Sequence, residues 1–193
     1  CEYTESGKGI AEIIRKASRN YQNRALFTYI GDITTGEVYE EVRNQTPGTA
    51  ILIGSWSVDK TGAIVDIGQF AEKVAAISPV PVFNLYDFNT GRGTVGGSIL
   101  SGYRQGYIAG QMASEILSGK EISQIPIVGT DATQLIFDYA VLERFKVPKE
   151  RIPPGSILLH TPPAFIEQYY GFIMAALLVI IILAAALITL LSI

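Results

Sequence analysis

Two hydrophobic periods alternate along the first 160 residues. Short continuous apolar runs, suited to strands covered on both faces, are followed by stretches with apolar residues every three or four positions, the spacing of a helix face. The central instance runs from Val80 to Lys120. Val80, Val82, Phe83 and Leu85 form the run, with Tyr86, Asp87 and Asn89 after its C-terminal end. Gly91, Gly93, Gly96 and Gly97 permit a tight crossing. Beyond Gly102, residues Tyr103, Tyr107, Ile108, Met112, Ala113, Ile116 and Leu117 fall at helical spacing, with Gly119 as C-cap.

The same rhythm predicts the other elements. A helix over Gly7–Arg19 carries Ile10, Ile13, Ile14 and Ala17 on one face, with Thr4 or Ser6 as N-cap. Ala25–Ile30 reads as a strand, and Thr35–Asn44 as a helix that turns Val38 and Val42 inward. Ala50–Gly54 is a buried strand, and Asp66 caps a helix presenting Ile67, Phe70, Ala71, Val74 and Ala75. Further on, Ile125–Val128 is expected as a strand, Thr133–Phe145 as a helix and Ser156–Leu159 as a last strand. This order predicts an α/β fold with a Rossmann-like parallel sheet and helices on both faces. A strand is expected ahead of Cys1, because such a layer rarely opens on a bare helix.

Phe172–Ile193 is apolar at every position except Thr189 and Ser192. At about 1.5 Å per residue it reaches across a hydrocarbon core of roughly 30 Å. Tyr169 and Tyr170 sit where an interfacial aromatic belt belongs, and Pro162-Pro163 separates the segment from what precedes it. The expected organisation is an α/β lobe over 1–160, a linker over 161–171 and a single transmembrane helix over 172–193, which makes the lipid bilayer a partner.

Composition narrows the chemistry. The net charge of −3 and pI near 5.2 argue against a nucleic-acid surface. One cysteine, Cys1, rules out an intrachain disulfide. It reads as the edge of a longer chain, the lipid-modified first residue of a bacterial lipoprotein, or a buried thiol. Gly91 to Gly96 matches G-x-G-x-x-G, but a dinucleotide site needs its third glycine in the first turn of a helix. Here the following residues look extended. Gly7-Lys8-Gly9 lacks the P-loop pattern. His160 has no nucleophile elbow to serve and reads as a surface histidine. No ligand spacing suggests a metal. The expectation is therefore a protein without enzyme activity, cofactor or metal.

Trp56, beside Ser55 and Ser57, is either a packed aromatic at the sheet rim or a ligand-facing wall. Tyr86 with Asp87, and Thr130 with Asp131, carry the same two readings. All three clusters follow expected strands of one sheet, which places them on one edge.

The run from FNLYDFNTGRGTVGGSILSGYRQGYIAGQMASEILSGKEISQIPIV, through FDYAVLERFKVPKERIPPGSILLHTPPAFIEQYY and into an apolar helix, resembles the periplasmic-binding-protein-like sensor regions of bacterial membrane receptors. These belong to the ABC-transporter substrate-binding protein superfamily. The resemblance spans nearly the whole chain from Gly7. It implies one lobe of a type I periplasmic-binding-protein fold, matching the C-terminal lobe, outside the inner membrane and anchored by one span. It also implies a small-molecule ligand, with Tyr3, Ser55, Trp56, Tyr86 and Asp87 near the cleft. In such receptors the span leads to PAS, histidine kinase or diguanylate cyclase modules. An accessory subunit of a membrane complex that keeps the fold without its ligand site, and a tethered solute-binding protein of a transporter, are the alternatives. A second copy of the chain is a further partner consistent with all three.

Overall fold

The computed structural model describes residues 4–129, 132–163 and 165–191. It separates into two compact units, Cys1–His160 and Thr161–Ile193.

The first unit opens with α1 (Glu5–Ser18), whose Thr4 hydroxyl accepts the Gly7 amide at 3.1 Å. Helix α2 (Thr35–Arg43) starts in a full capping box: Thr34 Oγ1 accepts the Glu37 amide, and the Glu37 carboxylate accepts the Thr34 amide. Strand β1 (Ile51–Ile53) leads to α3 (Ile67–Ile77), capped by Asp66, and then to β2 (Val82–Asn84). β1 and β2 pair in parallel, Ile51 opposite Val82 and Ile53 opposite Asn84. Val38 and Val42 of α2 and Phe70, Ala71 and Val74 of α3 close over Ile53, Trp56 and Val82, forming the main core.

β3 (Gly96–Leu100), β4 (Thr133–Asp138) and β5 (Ile157–Leu159) form a second sheet in that order. β3 and β4 are antiparallel, and β4 and β5 parallel. The Val95 amide bonds to the Val82 carbonyl at 2.7 Å and the Leu100 amide to that of Leu85 at 2.8 Å, laying the β3 chain along β2. Three residue steps on β2 thus match five on β3, and Gly96 and Gly97 absorb the excess at φ 97° and 142°. A smaller core of Val95, Val141 and Leu142 lies under this sheet. Arg144 of α5 (Tyr139–Arg144) donates to the carbonyls of Ala75 and Ser78, at 3.4 and 3.1 Å. A cation at the end of α3 contributes about 0.3–1 kcal/mol.

Four expectations need correction. The sheet is not uniformly parallel: β4 runs against β3, so the fold is mixed α/β with one small parallel and one mixed sheet. Ala25–Ile30 forms no strand; it is irregular, with Leu26 95% exposed. β-prone residues hold strand geometry only with a ladder beside them, and β1 pairs only with β2 among the described residues. Ile125–Val128 is irregular, with Ile127 wholly exposed and Pro126 unable to donate to a ladder. Thr133–Phe145 divides into β4 and α5, because TQLIF finds partners on both edges and Asp138 caps the following helix.

Helix α4 (Gly102–Leu117) occupies its expected span, but none of its residues is buried. Ile108 and Met112 are half-buried, whereas Tyr103 and Leu117 are exposed. The second unit contains α6 (Phe165–Leu191), in which Tyr169–Thr189 is long and apolar enough to cross a membrane by length and composition.

Candidate functional site

Loop chemistry at the C-terminal ends of β1 and β2 positions the expected residues. Ser55 and Tyr86 each stand two residues beyond the Ile53–Asn84 pair, past the C-terminal ends of the two paired strands. Ser55, Tyr86 and Asp87 are all half-buried. Asp87 Oδ2 accepts the Gly102 amide at 2.8 Å, tying this edge to the first turn of α4. The Tyr86 ring stacks on Phe88, with centroids 5.2 Å apart and planes 7° apart. Phe88 is half exposed, so the pair offers an aromatic face beside a carboxylate. Asn84 Nδ2 donates to the Tyr86 carbonyl at 2.8 Å and to Thr90 Oγ1 at 3.0 Å, which fixes the turn beneath that face.

Trp56 lies elsewhere. It is 3% exposed, stacks on Phe70 at 5.5 Å and donates from Nε1 to Thr35 Oγ1 at 3.1 Å. Of its two readings, the packed aromatic describes its surroundings. Tyr3, Thr130 and Asp131 lie outside the described residues. The glycine motif Gly91–Gly96 ends inside β3 and not at a helix start, so it builds no phosphate cradle. Among the described residues no group of three or more His, Cys, Asp or Glu converges as a metal requires. A shallow groove of about 400 Å³ between Tyr39, Gln69, Glu72 and Lys73 contains none of the expected residues. Burial pushes the Tyr39 phenol above its ordinary value.

Three features escaped the sequence reading. Phe88, the stacking partner of Tyr86, has only its position to mark it. His160 Nδ1 lies 2.8 Å from Oδ2 of Asp138, a buried carboxylate whose other oxygen caps α5. Nothing in a separation of 22 residues signals that pair. Asp59 is the third, and here D-K-T-G does signal a side chain folded onto its own turn. It is 5% exposed. Its Oδ1 accepts the Thr61 hydroxyl at 2.6 Å and amide at 2.9 Å, and its Oδ2 accepts the Thr35 amide at 3.1 Å. Because Thr35 also receives the Trp56 indole proton, Asp59 joins the polar loop to the main core.

These bonds, the Thr61 hydroxyl first and the Thr35 amide next, hold the Asp59 carboxyl well below its usual range. The folded state therefore binds the proton more weakly than the unfolded chain. The stabilisation is present in full above about pH 4, the ordinary aspartate value, and is lost as pH falls toward the lowered folded-state value. Glu37, lowered by the Thr34 amide, acts in the same direction. In urea titrations followed by Trp56, the only tryptophan, the unfolding midpoint should fall steadily from pH 5 to pH 2. Asp59→Asn should lower the midpoint at pH 7 and flatten that acid limb. An unchanged limb would mean that Asp59 carries little of it.

Neither a protein-family model nor a curated protein matches the sequence. Among solved structures, the chain superposes on the ligand-free, open structure of CD0873, a substrate binding protein with adhesive properties from Clostridium difficile. The TM-score is 0.61 at 18% identity, over 83% of this chain and 52% of that one, so the chain spans about half that protein's length. At this identity the likeness speaks for architecture, and the architecture is that of a substrate-binding-protein-like α/β fold.

Proposed function

We propose that the α/β unit is one lobe of an extracytoplasmic small-molecule-binding domain in a single-span bacterial membrane receptor, without catalytic activity. The observation that supports this reading is that Ser55, Tyr86 and Asp87 follow the C-terminal ends of the paired strands β1 and β2 in a substrate-binding-protein-like fold. Open α/β sheets bind ligands at such edges. The half-exposed Tyr86–Phe88 face supplies apolar contact and Asp87 a hydrogen-bond acceptor. Ligand closure would act on α6 through residues 153–170, by no more free energy than the ligand's preference for the closed state. Tyr169–Thr189 of α6 would sit in the inner membrane.

A second reading, a tethered solute-binding protein serving a transporter, is favoured by the substrate-binding character of the solved neighbour. Both readings require a ligand. The full chain in detergent micelles would be screened by thermal shift against the free amino acids, nucleosides, and mono- and disaccharides. A ligand at a hundred times its Kd stabilises by about 2.7 kcal/mol, a shift of several degrees. One chemical class should produce it, and Asp87→Asn should remove it. If no compound shifts the wild type, or if Asp87→Asn retains the shift, this edge is not the site. A ligand that stabilises the protein without altering hydrogen exchange in residues 153–170 would favour solute capture over signalling.

A further inference from the structure

We propose that the loop following β2 contains an internal water site built by the side chains of Asn84 and Asn89. Asn89 is wholly buried, and neither its Oδ1 nor its Nδ2 has a hydrogen-bond partner in the protein. Asn84 is 2% exposed; its Nδ2 is used by Tyr86 and Thr90, and its Oδ1 is unpartnered. Among the described residues these three are the buried side-chain atoms left in that state, one at the last residue of β2 and two in the loop that follows it.

Several backbone groups of the same loop are already engaged. The Asn89 amide donates to the Tyr86 carbonyl at 3.2 Å, and the Thr90 amide to that of Asp87 at 2.9 Å. The Asn89 carbonyl accepts the Thr94 hydroxyl at 2.9 Å. Turning a side-chain oxygen toward either of these backbone amides would break a bond to make one. Leaving buried amide atoms unbonded is less favourable than immobilising a water. The demand is also mixed in sign. Two carbonyl oxygens need donors and one amide nitrogen needs an acceptor, which water supplies together and a simple cation or anion does not. Internal waters are ordinarily held by two to four such groups. The site would anchor the loop carrying Tyr86, Asp87 and Phe88 whether or not that loop meets a ligand.

The test compares Asn89→Ala with Asn89→Leu in the full chain in micelles, by urea unfolding followed through Trp56. Leucine matches the shape of asparagine, excludes water and strands Asn84 Oδ1; alanine leaves room for water to reach it. A hydrated site makes the leucine variant the weaker, with a folding constant about tenfold below that of the alanine variant. A leucine variant as stable as alanine, or more so, overturns the proposal, because a dry pocket favours apolar filling. If neither variant folds, long-lived water cross-peaks to the Asn89 side-chain amide in asparagine-labelled wild type decide it. Their absence would also overturn the proposal.

Discussion

Gly96→Ala should destabilise the α/β unit by about 3 kcal/mol or more, among the larger effects of any single methyl group in the chain. Two causes add. Gly96 sits at φ 97°, where an L side chain is strained by about 1–2 kcal/mol. A Cβ there would also collide with the Ile136 carbonyl oxygen and lie 3.0 Å from Phe137 Cα, both backbone atoms of the paired strand. They cannot move without opening the β3–β4 ladder, in which Gly96 pairs with Phe137. Val95 and its neighbours in the smaller core would move with that strand. Gly97→Ala is the internal control. Gly97 has φ 142°, but its nearest neighbour, the Asn84 carbonyl oxygen, is 4.0 Å from the added carbon. It should lose only the strain, about 1–2 kcal/mol. Equal losses in urea titration would show that the collision relaxes and contributes nothing.

Trp56→Ala should cost about 3–5 kcal/mol, the range for deleting a large buried aromatic. The indole is stacked on Phe70, which stacks in turn on Tyr39 at 5.9 Å, so its loss opens a cavity at the centre of the main core. It also removes the donor to Thr35 Oγ1, an oxygen that bonds Asp59 as well. Trp56→Phe separates the two contributions. It keeps most of the ring contact and loses the N–H, for about 1 kcal/mol from the hydrogen bond plus a small packing loss. Circular dichroism must follow both unfolding curves, since each variant lacks the fluorophore. If alanine and phenylalanine cost the same, the hydrogen bond outweighs the packing and the core argument fails.

Local signals were legible wherever one element could be read from its own residues. Asp66 and the apolar spacing located α1, α2 and α3 and the cap of α3. The apolar runs located β1 and β2, and the strand ends placed Ser55, Tyr86 and Asp87 on one edge. Where the reading failed, it did so at residues whose state depends on a distant partner. TQLIF has helical spacing and strand composition together, and pairing with β3 and β5 decides between them. ALFTYI has the composition of a strand but no ladder beside it among the described residues. The apolar residues of α4 predict burial, yet their spacing says nothing of what lies opposite, and the helix is largely exposed.

The candidate site divides along the same line. Sequence alone determined the spans of α1 to α4, the inward faces of α2 and α3, the apolar segment within α6 and the strand-end residues, because each follows from signals within a few positions. Tertiary structure alone decided that Trp56 is core, that Phe88 backs Tyr86, that Asp138 meets His160 and that β4 opposes β3. These depend on strand direction and on side chains separated by many residues in sequence. Hydrophobic pattern specifies which face is buried, but not which neighbour buries it.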